Sequence, residues 1–323
     1  MSYDDDVAAA RAAVEAAQAD LAAAAAAVTA AQKAVADADA EFDAARQGLA
    51  EAQAHLDDLL AHPPQPETTL IWGYSHANKA RLEADTKALV RADRAYESGV
   101  PLNQDDTVAK GMAAGVVPII SMKVGTWASA IMGSQATAFE RYLRSITRPT
   151  VVIVEHEPEN DAQKDPAAFK AMTVRALDIA ARVANPNVQM AINLMTSWIN
   201  VPLRGSANYK GPRSEEYIPT GRTDFVLSWD GYTHDRTTTP EQKFGPALRL
   251  NQKYGLEFAI CETANEVDPA RWVTLVSDWC ASIAAIWCCY WPSKTSTGPQ
   301  YYPPASAFDE FRAVALKFGG KAI

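Results

Sequence analysis

Basic residues are scarce where acidic ones gather. The first 61 residues hold 12 Asp and Glu against Arg11, Lys33 and Arg46. That segment carries the whole net charge of -9, and the remainder balances at 27 basic and 27 acidic residues. A neutral body lacks the clustered cationic surface that nucleic-acid binding needs. Long apolar runs of membrane type are missing apart from diluted alanine, and the opening MSYDDDVAAA has neither the basic nor the leucine-rich stretch of a secretory leader. The expectation is a chain made soluble and cytosolic without a signal peptide, with no membrane insertion and no nucleic-acid partner. Cys261, Cys280, Cys288 and Cys289 form no CxxC pair and lie in apolar surroundings, which predicts reduced, buried thiols.

Residues 4 to 60 contain no proline and a single glycine, Gly48. Val7, Val14, Leu21, Val28, Val35, Phe42, Leu49 and Leu56 recur at an interval of seven, and three positions later stand Ala10, Ala17, Ala24, Ala31, Ala38, Ala45, Ala52 and Leu59. A strict seven-residue repeat drifts on a straight helix of 3.6 residues per turn, so this seam specifies a left-handed supercoil. Residues 1–61 are therefore expected to form an alanine-rich coiled-coil helix about 80 Å long that makes a homo-oligomer. HPPQPETT (62–69) then supplies three prolines, which fix φ and favour extended backbone. The expected organisation is a helix over 1–61, a linker over 62–68 and a body over 69–323.

The body, within a chain that is 48% hydrophobic, alternates strand-like and helix-like segments. Strands are expected at 69–75, 91–96, 116–123, 150–157, 188–195, 224–232, 257–264 and 284–291, with RADRAY (91–96) the shortest and most polar. Two intervening helices open on Asp-Pro pairs, Asp165-Pro166 and Asp268-Pro269, which supply an N-cap and an N1 proline. Eight strands with helices between them predict an α/β fold, a (β/α)8 TIM barrel.

In such a barrel chemistry gathers at the C-terminal ends of the strands. The fourth strand ends in Glu155-His156-Glu157-Pro158-Glu159, and the seventh ends in Cys261-Glu262-Thr263. An acid at the tip of a buried strand must be solvated, paired or used. Inward-leaning carboxylates from these two strands suit two-carboxylate glycosidic chemistry, with Glu155, Glu157 and Glu159 competing for the first position. The other strand ends carry polar and aromatic groups fit for sugar: Tyr74, Ser75 and His76, Lys123, Asn193 and Trp198, Asp230 and Tyr232, and Trp291, while Trp287, inside its strand, reads as core. The acidic run around His156 also offers oxygens for Ca²⁺ or Mg²⁺. The absence of HExxH and the kink at Pro158 count against a metal, and no cofactor is expected.

HEPEND (156–161), Glu262, WDGY (229–232) and the tryptophan closing the eighth strand resemble the clan of retaining glycosidases with catalytic glutamates after strands four and seven. The His-Glu pair is similar to glycoside hydrolase family 26. The resemblance spans residues 69 to about 315, although only these short motifs are specific. It implies that Glu157 is the acid/base, His156 orients substrate, Glu262 is the nucleophile and Tyr232 bonds near that nucleophile. The sequence departs from mannan-cleaving members, in which a short Asn-Gly-bearing loop follows the His-Glu pair, so their substrate does not carry over. A glycosidase-like body behind an oligomerising helix also resembles glycosidase-type minor tail proteins of tailed bacteriophages. That resemblance implies a homotrimer assembled into a virion tail with other tail proteins, and a bacterial surface polysaccharide as substrate.

Overall fold

The computed structural model describes residues 3–61, 70–75, 79–104, 115–199, 211–293 and 301–322. The chain divides into two compact units, Met1–Gln65 and Pro66–Ile323. The first is one helix, α1 (Tyr3–Ala61), as its high alanine content dictates, since alanine is the strongest intrinsic helix former. Along it the heptad residues Val14, Leu21, Val28, Val35 and Phe42 are 56% to 71% exposed. Among the described residues no helix is long and apolar enough to cross a membrane.

The second unit is a closed barrel of eight parallel strands: β1 (Ile71–Ser75), β2 (Ala92–Ser98), β3 (Val117–Lys123), β4 (Thr150–His156), β5 (Val188–Met195), β6 (Val226–Thr233), β7 (Phe258–Asn265) and β8 (Trp287–Tyr290). Neighbours pair in sequence order, and β8 closes on β1 through Ile71 opposite Trp287 and Tyr74 opposite Tyr290. Helices α2 (Lys79–Thr86), α3 (Gly133–Ser145), α4 (Pro166–Val183), α5 (Pro240–Tyr254), α6 (Pro269–Ser282) and α7 (Phe308–Lys317) accompany the strands, giving the (β/α)8 barrel expected from the alternation. Both Asp-Pro starts cap as expected. Asp165 accepts from Ala168 N at 3.0 Å and Asp268 from Arg271 N at 3.3 Å.

Two cores follow from strand alternation. Ala92, Ile119, Val151, Ile153, Ala191, Val226, Ala259, Cys261, Trp287 and Cys289 fill the barrel interior, and the alternate positions pack against the helices. Trp287 is core, as read from the sequence, and all four cysteines are buried free thiols.

The strands that carry the two glutamates each break the alternation once. On β4, Ile153 faces Ala191 but His156 faces Asn193, so three residues of β4 advance against two of β5. On β7, Ile260 faces Trp229 but Glu262 faces Asp230, again one residue extra. Such bulges reverse which side chains point inward beyond them. Gly231 fits the neighbouring strand to its helix: a Cβ there would come within 2.8 Å of the Phe244 ring and 2.7 Å of Thr196 Oγ1.

Candidate active site

Glu262 emerges beside Cys261, whose thiol faces the barrel interior, because the β7 bulge sends two successive side chains inward. Its carboxylate is buried and gathers donors from three strands. Ser75 Oγ donates to Oε1 at 3.0 Å from β1, Arg94 Nη1 lies 3.2 Å from Oε1 on β2, and the Tyr232 hydroxyl donates to Oε2 from β6. Burial pushes the Glu262 carboxyl above its ordinary range, while Arg94 and then Ser75 pull against that push.

Glu157 follows β4 in a left-handed backbone conformation, φ 49° and ψ 52°. That region is unfavourable for a residue with a Cβ. Hydrogen bonds hold it there: Glu157 N donates to Asn193 O at 3.1 Å, and Asn160 N donates to Glu157 O at 2.9 Å. The turn brings its half-buried carboxylate to the same gap as Glu262. One carboxylate oxygen from each of Glu157, Asp230 and Glu262 lies within 4.8 Å of the others.

Arg94 and Asp230 form the floor of this gap, and both are fully buried. Arg94 Nη1 donates to Asp230 Oδ1 and Oδ2 at 2.9 and 3.0 Å, and Nε donates to Ser121 Oγ at 3.1 Å. Asn193 Nδ2 donates to Asp230 Oδ2 at 2.6 Å and is itself fixed by Ser228 Oγ, which donates to its Oδ1 at 3.1 Å. Burial first, and the charge of Glu157 after Arg94 has opposed it, push Asp230 up to about 8. Asp230's oxygens accept three N–H bonds, two from Arg94 and one from Asn193.

Among the described residues Glu157, Asp230 and Glu262 are the one acidic group close enough together to hold a cation. Arg94 supplies the counter-charge in their midst, so these residues fit an arginine-centred carboxylate site better than a cation cage.

The competing acids lie elsewhere. The β4 bulge turns Glu155 out of the barrel, where it pairs with Lys123 Nζ and accepts from Val124 N at 3.3 Å. Glu159 is buried, accepts from Met195 N at 3.0 Å and is pushed up to about 7 by its burial.

The recognition groups expected from the sequence separate into two sets. His156, Tyr232, Trp291 and Trp198 lie around the gap. Tyr232 packs on Trp291 and Tyr301 with ring centroids 5.2 and 5.4 Å apart, and Trp198 Nε1 donates to Asn160 Oδ1 at 3.0 Å. His156 meets the ring of Tyr96 edge-on at 5.1 Å. Burial, Arg94 and Lys123 push His156 down to about 2, so it stays neutral.

Tyr74, Asp230 and Asn193, expected at the sugar, are turned away or sealed off, and exposed Lys123 has partners within the protein. Tyr74 points outward against Phe311 of α7, because Gly73 and Ser75 take the inward positions of β1. Asp230 and Asn193 are sealed beneath the gap and act through each other and Arg94. Lys123 is a strut: besides Glu155 it holds His156 O at 2.8 Å. His76 lies outside the described residues.

Ser75, a strand-end group expected from the sequence, reaches Glu262. Arg94, Tyr96 and Asn160 were not singled out by the sequence; the first two sit on inward positions of β2, so strict alternation from Ala92 was the available signal.

No protein-family model matches the chain, and no curated protein matches it. Solved structures do. A GH26 β-mannanase from Bacteroides ovatus aligns with a TM-score of 0.51 at 15% identity, covering 79% of this chain and 89% of that one. A double mutant of a Cellulomonas fimi endo-β-1,4-mannanase aligns with a TM-score of 0.50 at 15% identity, covering 77% and 71%. At this identity the likeness is one of fold.

Proposed function

We propose that the barrel is a retaining glycoside hydrolase. The observation that carries the reading is the approach of Glu157 and Glu262 to within 4.8 Å, oxygen to oxygen, across a gap floored by Arg94. Retaining enzymes hold their two carboxyl groups about 5 to 5.5 Å apart, and inverting ones leave room for a water between them. Glu157, carrying the proton, donates to the glycosidic oxygen while ionised Glu262 attacks the anomeric carbon. Water then resolves the glycosyl-enzyme with Glu157 as base. Neutral His156, whose buried Nδ1 has no hydrogen-bond partner among the described residues, supplies a hydrogen bond to a sugar hydroxyl. Trp291 and Tyr96 offer ring faces for stacking on either side.

The substrate in this reading is a bacterial surface polysaccharide, and the protein works as an oligomer, threefold as in phage tails, joined through α1 within a virion. Its support is the row of exposed heptad residues together with the motif resemblance. The test is release of reducing ends from a panel of purified envelope polysaccharides. Glu262→Gln should abolish release while glycan binding remains measurable; release unchanged by that substitution would refute the nucleophile. A second reading, a barrel that binds glycan without cutting it, shares the aromatic surfaces and predicts binding with no reducing ends from any panel member.

A further inference from the structure

We propose that Asn160 and Trp198 are positioning residues for Glu157, deciding which of its carboxylate oxygens carries the proton and at what pH that proton leaves. Trp198 Nε1 donates to Asn160 Oδ1 at 3.0 Å, and Asn160 Nδ2 donates to Glu157 Oε2 at 3.1 Å. An indole N–H can only donate, so the amide oxygen of Asn160 must face Trp198 and its NH₂ must face Glu157. The tryptophan thereby fixes the amide orientation. An NH₂ cannot accept, so Oε2 is held as an acceptor and the transferable proton resides on Oε1. The amide also favours ionised Glu157 over the neutral acid.

Glu157 stands among acids: Asp230 on β6, Glu262 on β7 and Glu159 in the same turn, with the neutral hydroxyl of Tyr232 committed to Glu262. The cations nearby are engaged elsewhere: Arg94 with Asp230 and Glu262, and Lys123 with Glu155 and the His156 carbonyl. Neutral His156 adds no charge. Asn160 is thus a donor aimed at the acid from the solvent side, and Trp198 anchors it from the turn after β5.

The catalytic consequence rests on the glycosidase reading; the effect on Glu157 itself does not. Asn160→Ala, Asn160→Asp and Trp198→Phe should be compared with the native chain in two measurements. In the pH profile of kcat/KM, loss of the donor raises the pKa of Glu157 and moves the alkaline limb upward. The expected shift is about half to one pH unit for Asn160→Ala, the size of one charge-assisted hydrogen bond at a partly exposed site. Asn160→Asp, which adds a charge, should shift it further, and Trp198→Phe less. The second measurement follows the Glu157 carboxyl carbon by NMR, assigned by its loss in Glu157→Gln, and the same upward shifts are expected. A limb and a carboxyl titration that stay in place in both Asn160 variants overturn the proposal, even if activity falls, because a merely structural role lowers rate without moving either. Carboxyl shifts as expected in a chain that hydrolyses no glycan would sink the glycosidase reading and leave the positioning role standing.

Discussion

At the scale of single residues the site is a problem of charge. In the proposed mechanism Glu262 attacks as the ionised carboxylate, yet burial raises its pKa, so the acid limb of activity is expected above the range of a free carboxylate, about pH 4.5. Glu157 is the general acid in the proposed mechanism. Removing that acid by Glu157→Ala should lower kcat/KM by about 10²- to 10⁴-fold, the usual worth of one general acid, and least on substrates with good leaving groups; steady-state kinetics on a leaving-group series checks this. Glu159 has the same burial without the chemistry. Its folded pKa of about 7 lies above the unfolded value of 4.5. The folded chain therefore keeps a proton that the unfolded chain has lost, and stability falls as pH rises from about 4.5 to about 7. Glu159→Gln should remove up to about 3 kcal/mol of that fall, read from urea melts at the two ends of the window.

At the scale of elements, strand parity made much of the site legible. Ser75, Arg94, Ser121, Asn193, Asp230 and Tyr232 occupy inward positions on five different strands, each in phase with an interior residue. RADRAY (91–96) read as the weakest strand because it is short and polar. Only the closed barrel shows that Arg94 faces Asp230 and Glu262. The two bulges were not legible. Continued alternation on β4 from Val151 and Ile153 would have sent Glu155 inward, and the extra residue instead commits Glu155 to Lys123 outside. The left-handed turn at Glu157 was equally hidden, since the sequence places no glycine there. That conformation ties function to strain. Glu157→Gly is expected to lower kcat/KM as far as Glu157→Ala while leaving the fold at least as stable as before, with a gain of up to about 1 kcal/mol, because glycine has no Cβ to oppose positive φ. Denaturant titration beside an activity assay checks both halves.

At the scale of the whole molecule, the proposed association turns on the seam of the long helix. A single chain leaves Val14, Leu21, Val28, Val35 and Phe42 in water along one seam, and a contiguous apolar stripe of that kind marks an interaction surface. Association in register would bury the stripe layer by layer, with the small alanines of the seam letting the helices approach closely. Sedimentation of the intact chain should then give three times its 34.9 kDa mass, and Leu21→Asp combined with Val28→Asp should return it to one. The consequence reaches the substrate. If the proposed association holds, barrels of one oligomer would meet a polymeric surface together, the second binding event would become intramolecular and avidity would rise by about 10²- to 10⁴-fold with no new contact. The double seam variant should therefore hydrolyse short soluble oligosaccharides at the native rate yet bind intact envelope polysaccharide far more weakly. Equal loss on both substrates would instead place the helix in the service of the barrel's own stability.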